Sequence, residues 1–195
     1  NTDVKNLIQI DANGNVDLEE FKKALPDGIG QITRLSEIKG GHSQTSDKES
    51  EPLTPYENAH LSNIVQKYFI EETRLGIPAI FHEECLHGLA AAYATSFPQP
   101  IAMAGTFNPE LVEQTYSIMA KESRLRGAHF VLSPVLDIAR DARWGRVEET
   151  FGEDPYLTTQ IGSAAIRGYQ GDANFTDGEH VAASLKHFAA HGQPE

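Results

Sequence analysis

The sequence predicts an α/β fold in which parallel strands alternate with helices, and three observations predict it. Short continuous apolar runs recur between segments of helical periodicity, as expected of strands buried on both faces of a parallel sheet. Two helices are announced by a capping residue followed by proline, at Asn108-Pro109 and at Asp154-Pro155. The densest stretch of ionisable side chains, RDARWGRVEETFGEDP at 140–155, closely follows the apolar run from Phe130 to Val135. In α/β folds ligands gather at the carboxyl ends of such strands.

Taken in order, Asp11, Asn13, Asn15 and Asp17 come first and resemble a calcium loop. The sixth position is Val16 instead of Gly and the twelfth is Lys22 instead of Glu, so a polar turn is expected. Ile29 to Thr33 reads as the first strand, after the turn signal Pro26, Asp27, Gly28. Lys39 to Pro55 is a polar loop without periodicity. Leu61, Ile64, Val65, Tyr68 and Phe69 then fall on one face of a helix. Ile77 to Phe81, opened by Gly76, is the second strand. A helix from Asn108 to about Arg126 leads into the third, Phe130 to Leu132. The helix opened by Asp154 and Pro155 runs to about Gln170, and Gly171 stops it. The last strand, Val181 to Leu185, ends in Lys186 and His187.

Right-handed crossovers between parallel strands would point all the strand ends one way. Three clusters then share a rim: His82, Glu83, Glu84 and His87; the arginine-rich loop; and Lys186, His187 and His191. Carboxylates that accept, beside guanidinium and ammonium groups that donate, suit a ligand with many hydroxyls. A blander reading stands beside this one. The arginine-rich loop also fits a surface ion-pair network capping the next helix, with Arg140, Asp141 and Arg143 bracing it and Asp154 only a cap. Lys186 and His187 also fit a snorkelling lysine beside a hydrogen-bonded histidine.

Composition excludes several classes. With 28 acidic against 16 basic residues the formal net charge is −12, which opposes a nucleic-acid partner. No apolar run approaches the roughly 18 residues of a membrane-spanning helix. The single Cys85 excludes an internal disulfide and reads as a small packed thiol. His82, Glu83 and His87 imitate a zinc-protease signature, but the histidines are five apart where the chemistry needs four. His42, His60, His129 and His180 read as solvated or core histidines.

Five ordered blocks carry a family resemblance: GIGQITR at 28–34, GIPAIFHEECLHG at 76–88, SFPQPIAMAGTFNPEL at 96–111, SPVLDIARDARWGRVEETFGEDPY at 133–156 and ASLKHFAAHG at 183–192. In that order they resemble the N-terminal barrel domain of glycoside hydrolase family 3, which includes β-glucosidases, β-xylosidases and N-acetylhexosaminidases. The resemblance implies the N-terminal part of a (β/α)8 barrel of the TIM type across 1–195. It implies an exo-acting retaining β-glycosidase that removes a terminal sugar from β-glycosides. By position, Glu84, Arg146, Lys186 and His187 are implied to bind the sugar.

The same resemblance places the nucleophilic Asp in an SD-aromatic motif that this sequence lacks, and the acid/base in a further domain. It gives Glu148, Glu149 and Glu153 neither role. No metal or cofactor is required, and the implied partner is a glycoside. Four strands where a barrel needs about eight lead to the expectation that the polypeptide continues past Glu195 or that a second chain supplies the rest. Glu in place of the Asp of many family glucosidases leans toward a pentose, with glucosides kept. The setting leans to periplasmic or secreted. Two other readings are a phosphosugar-converting barrel enzyme and a noncatalytic sugar-binding module.

Overall fold

The computed structural model describes residues 4–11, 14–38, 52–171, 177–188 and 191–192. Asn13 of the polar turn, His42, most of the 39–55 loop and part of the last sequence block lie outside the described residues. The described chain divides into two compact units, one formed by Asn1–Glu83, Ala90–Tyr93 and Leu125–His129, the other by Glu84–Leu89, Ala94–Arg124 and Phe130–Glu195. Each unit has buried apolar side chains of its own.

The first unit begins with a small antiparallel pair, β1 (Gln9–Ile10) and β2 (Val16–Asp17). The Asp11 carboxylate accepts the main-chain and side-chain N–H groups of Asn15 at 2.9 and 2.8 Å. The calcium-loop resemblance therefore ends in a turn that uses its own acid internally. Helix α1 (Glu19–Ala24) follows, then strand β3 (Gln31–Thr33), helix α2 (Pro55–Lys67) and strand β4 (Ile80–Glu83). Strands β3 and β4 are parallel, with Ile32 opposite Phe81.

Helix α2 starts where the Thr54 hydroxyl accepts the Glu57 N–H and the Glu57 carboxylate accepts the Thr54 N–H, a capping box. Its face carries Leu61 and Val65 into a core with Phe21, Ile32, Phe69 and Phe81, and Ile64 packs at the edge. The Phe21 ring meets those of Tyr68 and Phe69 at 6.0 and 5.7 Å. Tyr68 and Phe69 belong to a π-turn, Tyr68–Glu72, that extends α2.

The second unit holds α3 (Pro100–Ala104), most of α4 (Pro109–Leu125), β5 (Phe130–Val131), α5 (Pro155–Gln170) and β6 (Ala182–Ala183). Both anticipated caps are present. Asn108 Oδ1 accepts the Leu111 N–H at 3.1 Å, and Asp154 Oδ1 accepts that of Leu157 at 2.6 Å. Gly171 stops α5 with φ +62°, a conformation that costs a residue with a Cβ more than it costs glycine. Helices α4 and α5 meet through Gly168, where an added Cβ would stand 2.7 Å from the Tyr116 Cβ, and through the Tyr116 and Tyr169 rings at 4.8 Å. The Tyr169 hydroxyl donates to the Cys85 carbonyl, and the Cys85 thiol is buried.

Strands β5 and β6 are parallel, Phe130 opposite Ala182 and Val131 opposite Ala183. Both are shorter than the apolar runs predict because the register slips after Val131 and Ala183: the next pairing sets Val135 opposite Lys186, four residues on along one strand and three along the other. The pairing nonetheless continues irregularly. Ser184 N donates to the carbonyls of both Val131 and Ser133, and Lys186 N donates to that of Pro134. Leu136 N donates to Lys186 O at 2.7 Å, closing a bridge between Val135 and Lys186. This irregular end of the ladder holds Lys186 and His187 beside Asp137. Among the described residues no helix is long and apolar enough to cross a membrane.

Candidate active site

The second unit brings together all four side chains that the sequence singles out. Lys186 Nζ lies 3.4 Å from Glu84 Oε2. Arg146 sits in the loop after β5, immediately before a 3-10 turn at Val147–Glu149 that returns a carboxylate to it. Its Nε and Nη2 donate to the two oxygens of Glu149 at 2.7 and 2.6 Å, a bidentate fork. That pairing lifts the Arg146 guanidinium further above its usual range and holds the Glu149 carboxyl below the usual carboxylate range. Arg146 Nη1 reaches toward His187 Nε2 at 3.4 Å.

His187 is held from behind. Asp137, buried at 8% exposure, takes the His187 main-chain N–H at 3.0 Å and pairs with the ring Nδ1 at 2.7 Å, both on Oδ2. The imidazole meets the His191 ring edge-on at 4.8 Å, and His191 meets Trp144 the same way at 4.9 Å. The group therefore runs Glu84–Lys186 on one side and Asp137–His187–Arg146–Glu149 on the other. Three carboxylates stand against two permanent cations.

Other anticipated members do not belong to this group. His82 and Glu83 are part of the first unit and are engaged there, His82 Nδ1 with Gln31 at 2.6 Å and Glu83 with Ser36. A strand's side chains alternate between faces, so adjacent acids on and just after β4 need not share surroundings. His87 pairs through Nδ1 with the Phe97 carbonyl at 3.0 Å, which fixes a loop. Asp141 and Arg143 brace each other, with Arg143 Nη2 and Nε on the Asp141 carboxylate at 2.5 and 3.0 Å. Asp154 is a helix cap.

Two members escape the sequence reading. Asp137 stands inside the apolar run VLDIA, where an acid is out of place unless it has a buried partner, and that was the signal available. Glu149 lies three residues beyond Arg146, a spacing that one helical turn converts into a pair. Among the described residues no group of three or more His, Cys, Asp or Glu side chains is placed to hold a metal ion.

Parallel strands followed by helices, with carboxylates and cations gathered past the strand ends, define an α/β protein with a site built for hydrogen bonding. The profile of the Glycosyl hydrolase family 3 N terminal domain matches residues 1–195. A putative β-xylosidase of Formosa agariphila is 46% identical over 144 residues, which cover 73% of this chain and 19% of that protein. A periplasmic β-glucosidase of Salmonella typhimurium is 37% identical over 123 residues, covering 63% of this chain and 15% of that protein. Among solved structures, a β-glucosidase from Erythrobacter marinus superposes with a TM-score of 0.78 at 36% identity, covering 98% of this chain and 24% of that one. The chain belongs to glycosyl hydrolase family 3. Its α/β fold is that of the family's TIM-type barrel, and it spans about one fifth of the length of the curated relatives it matches.

Proposed function

We propose that this chain supplies the sugar-binding part of the active site of an exo-acting retaining β-glycosidase, a β-xylosidase or β-glucosidase. One observation carries the reading: Glu84, Lys186, Arg146 and His187, drawn from three separate sequence blocks, form two contacts, Lys186 with Glu84 and Arg146 with His187, joined through the consecutive residues Lys186 and His187. A sugar ring presents adjacent hydroxyls that donate and accept. Glu84 takes hydroxyl protons, while Lys186 and Arg146 donate to neighbouring oxygens. An excess of carboxylate over cation also favours the positive charge that develops on the ring at an oxocarbenium-like transition state.

The nucleophile and the acid/base lie outside these residues in this reading. Residues 1–195 form the N-terminal portion of a barrel domain, completed by the same polypeptide or by a second chain. The relative named periplasmic supports an exported setting. A phosphosugar enzyme is disfavoured because both candidate phosphate-gripping cations are already paired, Lys186 with Glu84 and Arg146 with Glu149.

The test is turnover by the intact protein. Aryl β-xylosides and aryl β-glucosides should be hydrolysed with retention of anomeric configuration, and inorganic phosphate should not inhibit. Affinity for xylose or glucose with no hydrolysis of either glycoside would support a noncatalytic sugar-binding module and sink the enzyme reading.

A further inference from the structure

The two neighbours of His187 have opposite hydrogen-bonding character. On one side a carboxylate, which only accepts, lies 2.7 Å from Nδ1. On the other a guanidinium, which only donates, faces Nε2 at 3.4 Å. A proton on Nε2 would point at the N–H of Arg146, and a bare Nδ1 would point its lone pair at the oxygen of Asp137. Each neighbour independently demands the same arrangement, with the proton on Nδ1 and the lone pair on Nε2.

The surroundings make that arrangement hard to lose. Asp137 is buried, and its Oδ2 also takes the main-chain N–H of His187, so the carboxylate cannot swing away without giving up two bonds. Glu149 clamps Arg146 through Nε and Nη2, which leaves Nη1 turned toward the imidazole. The His191 ring against the imidazole restricts its rotation.

We propose that Asp137 is a positioning residue that sets His187 in the Nδ1–H tautomer, so that Nε2 meets the ligand as a hydrogen-bond acceptor. This rests on the reading of His187 as a sugar-binding residue. The long contact with Arg146 leaves Nε2 open to a stronger donor. A sugar hydroxyl set beside this contact, within reach of both, donates a hydrogen bond to His187 Nε2 and accepts one from Arg146, and so is read as both donor and acceptor. A second hydroxyl-accepting group is thus added to Glu84, since the carboxylates of Asp137 and Glu149 are engaged with His187 and Arg146.

The experiment uses the intact protein with imidazole-15N histidine. The His187 resonances are identified by their loss in His187→Gln. The expected result is a protonated Nδ1 and a bare Nε2 in the parent protein. In kinetics on an aryl β-glycoside, Asp137→Ala should lower kcat/KM about 10- to 100-fold. Asp137→Asn, which keeps an acceptor oxygen, should recover most of that loss. In a His187→Ala background the same Asp137→Ala change should cost less than about threefold, because its effect passes through the ring. A protonated Nε2 in the parent protein, or an equal cost of Asp137→Ala in both backgrounds, would overturn the proposal. If the intact protein hydrolyses no glycoside, the glycosidase reading fails, and the nitrogen resonances decide the tautomer separately.

Discussion

Lys186 Nζ stands 3.4 Å from Glu84 Oε2, and this one contact joins the end of β6 to the segment that opens the second unit, 102 residues apart in sequence. The Lys186 side chain is 13% exposed and that of Glu84 is 32% exposed. The pair is partly buried, but its single contact is long for a hydrogen bond, so it adds little stability. It does hold a carboxylate with spare lone pairs beside an ammonium with spare protons, which is the equipment for gripping vicinal hydroxyls.

Lys186→Met in the intact enzyme should therefore separate binding from folding. A hydrogen bond to a charged group is worth about 1.5–3 kcal/mol, so kcat/KM on an aryl β-xyloside or β-glucoside should fall about 10- to 100-fold. Thermal unfolding should move by only a degree or two. A large loss of Tm with unchanged kcat/KM in the remaining folded enzyme would make the pair structural.

Glu84→Asp tests the depth of the pocket. In the proposed reading, Glu, one methylene longer than Asp, would crowd the space that a hexose needs for its exocyclic hydroxymethyl group. The shorter acid should raise the ratio of glucoside to xyloside kcat/KM. An unchanged ratio would mean that the length of this side chain does not read the sugar's size.

Arg146 and Glu149 form the most closely hydrogen-bonded pair of the group, and the hydrogen bonds from Arg146 hold the Glu149 carboxyl below the usual carboxylate range. A carboxyl whose folded-state pKa is depressed contributes stability above its unfolded-state pKa and loses it as pH falls through the folded-state value. The acid limb of a plot of Tm against pH should thus be shallower in Glu149→Gln than in the parent, by a degree or two because the site is partly solvated. Superimposable acid limbs would show that the pair adds nothing to stability.

Much of the framework around this site is legible in the sequence because its parts are tied to local punctuation. Asp154 and Pro155 open α5 where a cap and a fixed φ are expected, Gly171 closes it, and Lys186 and His187 sit at the end of an apolar run. Glu83 and Glu84 are adjacent and alike in sequence, and nothing local distinguishes them. Their different partners, Ser36 and Lys186, come from distant parts of the chain. Asp137 is missed for the same reason, since its partner is 50 residues away. The β1–β2 hairpin and α1 are too short for periodicity to register. The shortened strands trace to a register slip between Val131 and Val135, which an apolar pattern does not record.

Gly88, the glycine of the HG pair, has a specific reason to be glycine. Its φ is +123°, and an added Cβ would land on the carbonyl oxygen of Thr95. Backbone atoms cannot yield as the tip of a flexible side chain can. Gly88→Ala should destabilise by about 2–4 kcal/mol from the combined strain and overlap, seen as a clear fall in Tm. An unchanged Tm would mean that the 84–89 segment shifts freely, and the placement of Glu84 would then need another support.

Glu83 supplies a pH dependence of the opposite sign to Glu149. It is buried at 6% exposure, with Ser36 N at 3.0 Å from Oε1 and Ser36 Oγ at 2.7 Å from Oε2. Burial pushes its pKa up to about 7, against the Ser36 hydrogen bonds, which favour the charged form. The neighbouring Lys5–Glu37 ion pair at 2.9 Å brings both a cation and a second acid nearby. Because the folded-state pKa lies above the unfolded-state value, the contribution to stability is fully present below the usual Glu range and is lost as pH rises to about 7. That loss is on the order of 3 kcal/mol at most. Glu83→Gln keeps an oxygen for the Ser36 N–H, offers an amide proton to the Ser36 hydroxyl, and cannot ionise. Its Tm should therefore match the parent near pH 4 and exceed it by several degrees at pH 8. If the variant is less stable than the parent at pH 8, Glu83 is held as a charged hydrogen-bond acceptor, and the Ser36 bonds outweigh its burial.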